Sequence, residues 1–243
     1  MKFHFILQII RGTIKLIIPT FNYIIYFFKN PKIGKFFIPW LFSNLNPHKN
    51  NIKDKTIWIT FESKMWLEKF LKPNMTIFEY GSGGSTIFFT NRVKNLISVE
   101  HDMDWHKNIK KILEKNEIKN CEYILSKPQK INDIENQNFS DYKKFLSEEY
   151  PNFSFESYVK NIDKFQDQNF DLIFIDGRSR PACIFHSLNK VKRGGIIMLD
   201  NSERAHYQLG KKLLSNWLKI DFYGPGPYGR FFWNTTIWQR SKN

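Results

Sequence analysis

The sequence predicts an α/β fold: a doubly wound, mostly parallel seven-stranded sheet with helices on both faces, preceded by an N-terminal amphipathic helix. Three observations predict it. From about residue 75 onward, short apolar β-rich runs alternate with amphipathic helical ones, and strands that apolar separated by helices are what a parallel sheet covered on both faces produces. The first of these strands runs straight into a glycine-rich turn and a helix start. The last two runs read as a β-pair joined by a connection containing Gly224, Pro225, Gly226 and Pro227.

With 243 residues, 42% of them hydrophobic, the chain has room for one such domain plus an appendage. We divide it into an N-terminal helix and connector, 1–50, and an α/β domain, 51–243. Phe3 to Phe28 is strongly apolar, but Arg11 and Lys15 interrupt it and Pro19 and Asn22 break the remaining run, so it falls short of the roughly 20 apolar residues of a membrane span. No small-residue cleavage site follows, which argues against a signal peptide. His4, Gln8, Arg11, Lys15, Asn22 and Lys29 share a polar stripe on a helix, with Ile6, Ile10, Ile17, Phe21 and Ile24 around the rest. Such a helix either lies in a membrane interface through residues 1–29 or docks onto the protein's own α/β domain or a second subunit. Asn30 to Asn51, with Pro31, Pro39 and Pro47, reads as an irregular connector.

The α/β pattern then runs in order. A helix over Glu62–Leu71 stops before Pro73. Strands follow at Met75–Tyr80, Leu96–Glu100, Cys121–Leu125, Phe170–Asp176 and Gly195–Asp200, with helices at Ser85–Arg92, Asp104–Glu114, Pro181–Val191 and Arg204–Leu218 between and after them. Ile220–Tyr223 and Thr235–Gln239 complete the sheet. Residues 127–168 form an insertion studded with aromatics, including Phe139, Tyr150, Phe155 and Tyr158, and read as a lid, an acceptor pocket or a satellite core.

Charge discriminates less than its size suggests. The net charge is +14, but alanine occurs only at Ala182 and Ala205 while Lys, Ile, Asn and Phe abound, as expected when AT-rich coding drives composition. Residues 1–60 hold nine Lys/Arg and a single acid, Asp54, so the basic excess belongs mostly to the N-terminal segment. Nucleic acid is therefore disfavoured as a partner. Cys121 and Cys183 are too few for a disulfide framework or a cysteine zinc site, and a reducing cytoplasmic compartment fits, with the N-terminus peripheral on the inner membrane face.

The sharpest motif is Glu79-Tyr80-Gly81-Ser82-Gly83-Gly84-Ser85-Thr86 at the first strand-to-helix turn. Glycines let the backbone turn tightly and approach a ligand, and the helix start presents unpaired N–H groups. Glu100 ends the next strand, where its carboxylate can accept from both hydroxyls of a ribose. A dinucleotide fingerprint wants a third glycine where Thr86 stands, and the Lys-Ser/Thr pair of a P-loop is missing.

With these residues the chain resembles class I S-adenosyl-L-methionine-dependent methyltransferases. The match comprises Glu79-x-Gly81-x-Gly83, Ser98-Val99-Glu100-His101-Asp102, the Asp171–Asp176 strand and the Gly194-Gly195 turn. The resemblance implies a Rossmann-like methyltransferase fold over about residues 56–240. It also implies that Gly81 and Gly83 meet the methionine moiety, that Glu79 lies near its amino group and that Glu100 holds the ribose; Ser82 and Ser85 of the same loop are further cofactor-binding candidates. The family's acid after the third strand is absent, and Ser126 of Leu125-Ser126-Lys127 stands in as the adenine candidate.

Chemistry is expected at the ends of the fourth and fifth strands, at Asp176-Gly177-Arg178-Ser179-Arg180 and Asp200-Asn201-Ser202-Glu203-Arg204. Asp176, Asp200 and Asn201 offer oxygen ligands suited to magnesium, similar to cation-dependent O-methyltransferases of the catechol and caffeoyl-CoA type. The lysine base of those enzymes is not found, and Arg178 is a poor base but a good fork for an anion, so either a different base serves the metal or Asp176 is itself a substrate-orienting acid with no metal. Asp176, Asp200, Arg178 and His101 are the catalytic candidates, with His206 a further base candidate. The expected activity is methylation of a hydroxyl on a small-molecule or glycan acceptor. Two other readings stay open: an NAD-type oxidoreductase, which tight NADH binding would favour, and a non-catalytic nucleic-acid-binding module, which steep salt dependence of oligonucleotide binding would favour.

Overall fold

The computed structural model describes residues 16–46, 49–132 and 137–242. Seven strands form one sheet: β1 (Thr76–Tyr80), β2 (Asn95–Glu100), β3 (Cys121–Leu125), β6 (Phe170–Ile175), β7 (Val191–Leu199), β8 (Leu218–Gly224) and β9 (Trp233–Gln239). A separate two-residue pair, β4 (Gln129–Lys130) and β5 (Phe153–Ser154), lies within the insertion. The large sheet has the order β3-β2-β1-β6-β7-β9-β8, and all its pairings are parallel except those that β9 makes with β7 and β8. The order reverses between β1 and β6, so their carboxyl ends open the crevice in which such sheets bind ligands.

Strand alternation builds two cores. On β6, Ile173 and Ile175 pack with Phe78, Tyr80 and Val99 on one face, while Leu172 and Phe174 pack with Ile77, Phe89 and Ile196 on the other. Helices α4 (Gly84–Thr90), α5 (Met103–Lys115) and α7 (Arg180–Ser187) follow β1, β2 and β6. The insertion joins the main core: α6 (Glu156–Val159) and the 3₁₀ turn after it bury Phe155, Tyr158, Val159 and Ile162 completely. The aromatic residues of this stretch thus divide between core and cleft wall.

Three expectations change. The connector is largely helical, with a 3₁₀ turn at Pro31–Phe36 and α2 at Phe37–Leu45. Its prolines are compatible with that, because Pro31 opens the 3₁₀ turn and Pro39 sits in the first turn of α2, where the missing N–H has no helical partner to lose. Helix α7 ends at Ser187, and β7 begins earlier than expected, at Val191, with a register irregularity opposite Phe170–Leu172. The run from Arg204 is a 3₁₀ turn, Ala205–Tyr207, and a short α8 (Gln208–Lys212), and β8 starts at Leu218.

Of the N-terminal helix, α1 (Ile17–Lys29) is described, and residues 1–15 lie outside the described residues. Pro19, Tyr23 and Tyr26 share the docked side. Tyr23 is buried against Phe37, Trp40 and Phe232, and its hydroxyl donates to Ile33 O at 2.8 Å. Trp40 ties this unit to the α/β domain by donating to Gly229 O at 2.8 Å. Helix α3 (Phe61–Phe70) leads from it to β1.

Candidate active site

A cleft of about 470 Å³ opens at the carboxyl ends of β1, β2 and β6, within the roughly 300–1,000 Å³ of small-ligand sites. Its floor is two glycines back to back. Gly81 has φ +90°, and a Cβ there would come within 2.7 Å of Gly177 Cα in the loop after β6. Gly177 is equally confined, since its own Cβ would meet the Tyr158 hydroxyl. A side chain at either position would push the two loops apart, so bare backbone faces the cleft.

Glu79 does not line the cleft. It is fully buried, and its Oε2 accepts from Thr86 Oγ1 at 2.7 Å and Ser98 Oγ at 2.6 Å, while Thr86 Oγ1 in turn accepts from Gly83 N at 2.9 Å. The carboxyl therefore organises the glycine turn from beneath. Burial pushes it up to about 7, against the downward pull of the Ser85, Ser98 and Thr86 hydroxyls. Its Oε1 has no hydrogen-bond partner among the described residues. Ser85 is buried with it, and Gly83 lies below the surface in extended backbone. Ser126 is also buried, its N–H donating to Glu100 O at 2.7 Å, and lies outside the cleft lining.

Glu100 does line the cleft. Oε2 accepts from Ser82 N at 3.1 Å and Ser82 Oγ at 2.7 Å, and Oε1 accepts from the N–H groups of His101 and Asp102 at 2.8 and 2.9 Å. Burial alone would raise this acid, yet these donors and the neighbouring His101 ring hold it below its ordinary value. Ser82 Oγ occupies a position from which a ligand hydroxyl could equally donate. The His101 ring lies with Nδ1 2.8 Å from Glu100 Oε1 and edge-on to Tyr150. Trp105, which sequence reasoning missed, closes the opposite wall and donates from Nε1 to Ser82 O at 2.8 Å. Its signal was an aromatic residue on the helix that begins directly after the second-strand acid.

At the end of β6, Asp176 and Arg178 line the cleft, and Arg180 organises everything behind them. The Arg180 guanidinium is 5% exposed and donates to Gly177 O, to both the carbonyl and Oδ1 of Asp176 (3.1 and 3.0 Å), and to Asp200 O, with Asn201 Oδ1 at 3.4 Å. The residues expected to hold magnesium thus surround a cation the chain supplies itself. Asp200 is buried, and its Oδ1 accepts from Trp233 Nε1 at 2.9 Å and Thr235 Oγ1 at 2.6 Å on β9, directing the carboxyl away from the cleft; burial raises its pKa. Among the described residues no group of three or more His, Cys, Asp or Glu could hold a metal ion. With the Arg180 guanidinium among them and the Asp200 carboxyl turned to β9, Asp176, Asp200 and Asn201 do not fit a magnesium site, and Asp200 does not reach the cleft as a catalytic group. Ser179 and Asn201, in the loops after β6 and β7, both have positive φ, +51° and +47°, the local strain that places the Arg180 side chain between these loops.

This fold has counterparts among solved structures. A methyltransferase from Geobacter sulfurreducens is similar over 87% of this chain and 97% of its own, at 10% identity and a TM-score of 0.52. The O-methyltransferase TomG from Streptomyces achromogenes, involved in tomaymycin synthesis and solved with S-adenosylmethionine, is similar over 72% of this chain and 77% of its own, at 14% identity and a TM-score of 0.51. The chain has the fold of class I S-adenosylmethionine-dependent methyltransferases. No family profile matches it, and no curated protein does.

Proposed function

We propose that the protein is an S-adenosylmethionine-dependent methyltransferase acting on a hydroxyl of a small molecule or glycan. The observation that carries this reading is the cleft itself: bare Gly81 and Gly177 backbone, the Glu100 carboxylate and Asp176 converge at the topological switch point of a methyltransferase fold. S-adenosylmethionine supplies a methyl group on a positively charged sulfur. Glu100 accepts the ribose hydroxyls, Ser82 Oγ giving way to one of them. Arg180 fixes Asp176 through Oδ1, which would leave Oδ2 to orient the acceptor hydroxyl and take its proton. Trp105 walls the cleft.

Calorimetric titration with S-adenosylhomocysteine tests the reading. We expect micromolar binding to the wild-type chain, and none to Gly81→Ala, whose Cβ would collide with Gly177 and whose φ disfavours any side chain. No binding to the wild-type chain, with tight binding of NADH instead, would replace the methyltransferase reading by the oxidoreductase one.

A further inference from the structure

Beside the cleft lies a second space that the chain fills with its own residues. Residues 146–150 of the insertion cross the ends of β6 and β7; Tyr150 lines the cleft, while Glu149 faces the loops after those two strands. Only about 10 Å³ remains beneath the segment, bounded by Gly177, Arg180, His206 and Tyr207.

Glu149 holds the segment down. Its Oε1 forms an ion pair with Arg178 Nη1 at 3.1 Å and accepts from Arg204 Nη1 at 2.9 Å, and Oε2 accepts from Ser147 Oγ at 2.9 Å. Against the cost of burial, Arg178, Ser147 and Arg204 hold the carboxyl down at about 2, so it is ionised throughout the neutral range. The third guanidinium of the site, Arg180, is already matched by Asp176. Glu149 is thus the carboxylate on which Arg178 and Arg204 converge, from loops that follow adjacent strands. Two guanidinium groups meeting at one oxygen is the geometry that binds a carboxylate or a phosphate. All three partners are between 28% and 37% exposed, so solvent screens the contact and a competing anion can reach it.

We propose that the acceptor carries an anionic group, a phosphate or a carboxylate, which takes the place of Glu149 between Arg178 and Arg204 and lifts residues 146–150 from the acceptor space. The word acceptor rests on the methyltransferase reading; the anion site does not. Because Arg178 also lines the cofactor cleft, an anion held there brings the rest of its molecule alongside Asp176.

The test titrates the full chain with glucose 6-phosphate, glucuronate and, as the uncharged control, glucose, at matched ionic strength. We expect one or both anions to bind Glu149→Gln at least about tenfold more tightly than wild type, as removal of a built-in competitor requires, with glucose unaffected. Adding Arg178→Met and Arg204→Met to Glu149→Gln should abolish the gain. Phosphate alone or carboxylate alone would identify the group. Equal affinity of both anions for wild type and Glu149→Gln, or a gain that survives loss of both arginines, would overturn the proposal. Should Glu149→Gln fail to fold, hydrogen exchange in the wild-type chain decides: exchange at residues 146–150 must rise with an anion and not with glucose, and unchanged exchange overturns the proposal. S-adenosylhomocysteine titrated in parallel separates the two readings. Its binding without an anion effect removes this inference alone, and an anion effect without its binding removes only the methyltransferase reading.

Discussion

Glu79 shows how far the fold can move the chemistry of one side chain. The carboxyl is sealed under the glycine turn and raised to about 7, so between its ordinary range and neutrality the folded chain keeps a proton that the unfolded chain has lost. Stability must then fall as pH rises through that window, by about 1.4 kcal/mol per pH unit and roughly 3 kcal/mol in all. Glu79→Gln keeps an oxygen for the Thr86 and Ser98 hydroxyls and cannot ionise. Its extra N–H groups add a fixed cost that does not vary with pH. We therefore expect the wild-type Tm to fall by roughly 5–10 °C relative to that of Glu79→Gln between pH 5 and pH 7.5. Parallel Tm curves for the two proteins would show that Glu79 is ionised throughout and that Oε1 has found a partner.

Where α7 begins, Arg180 ties the ends of β6 and β7 together, and the element it anchors depends on it. Arg180→Met leaves Asp176 beside the cleft without its cation and three backbone carbonyls without a donor, for which we expect a loss of about 3–5 kcal/mol in urea unfolding. With the guanidinium already among the expected ligands, magnesium or a chelator should leave both the wild-type Tm and S-adenosylhomocysteine affinity unchanged, and a magnesium-dependent rise in either would restore the metal site. The sheet was legible from sequence because its central strands are buried on both faces and read as unbroken apolar runs. Boundaries after β6 and β7 were not, because Gly194 at φ +75° and the short α8 are set by packing rather than by periodicity. Of the site residues, Gly81, Ser82, Glu100, His101, Asp176 and Arg178 do line one cleft. Arg180 was given no role of its own, because nothing in Asp-x-x-x-Arg shows that the left-handed Ser179 turns it inward. Glu149 left no local signal, since its partners lie 29 and 55 residues away along the chain.

Helix α1 presents two opposite faces. Pro19, Tyr23 and Tyr26 dock on the protein, whereas Ile17, Phe21, Ile24 and Phe28, a turn or so apart on the other side, are 44–77% exposed. No helix among the described residues is long and apolar enough to cross a membrane. The exposed cations Lys29, Lys32 and Lys35 follow directly, in a stretch whose first acid is Asp54. An apolar stripe flanked by cations suits an anionic lipid surface, into which the stripe can sink while the charges meet head groups. We propose this as the occupant of the face, which would bring the cleft to acceptors at a membrane. Phe21→Glu and Phe28→Glu should leave the Tm nearly unchanged, because both side chains are mostly exposed, yet weaken sedimentation with phosphatidylglycerol vesicles by about tenfold or more. Raising salt from about 50 to 500 mM should weaken it as well, and neutral vesicles should bind less. Tyr23→Ala, on the docked side, should instead lower the Tm. If the glutamate variants bind vesicles as wild type does, the stripe is not the lipid contact; if they convert a wild-type dimer to a monomer, its occupant is a second copy of the chain.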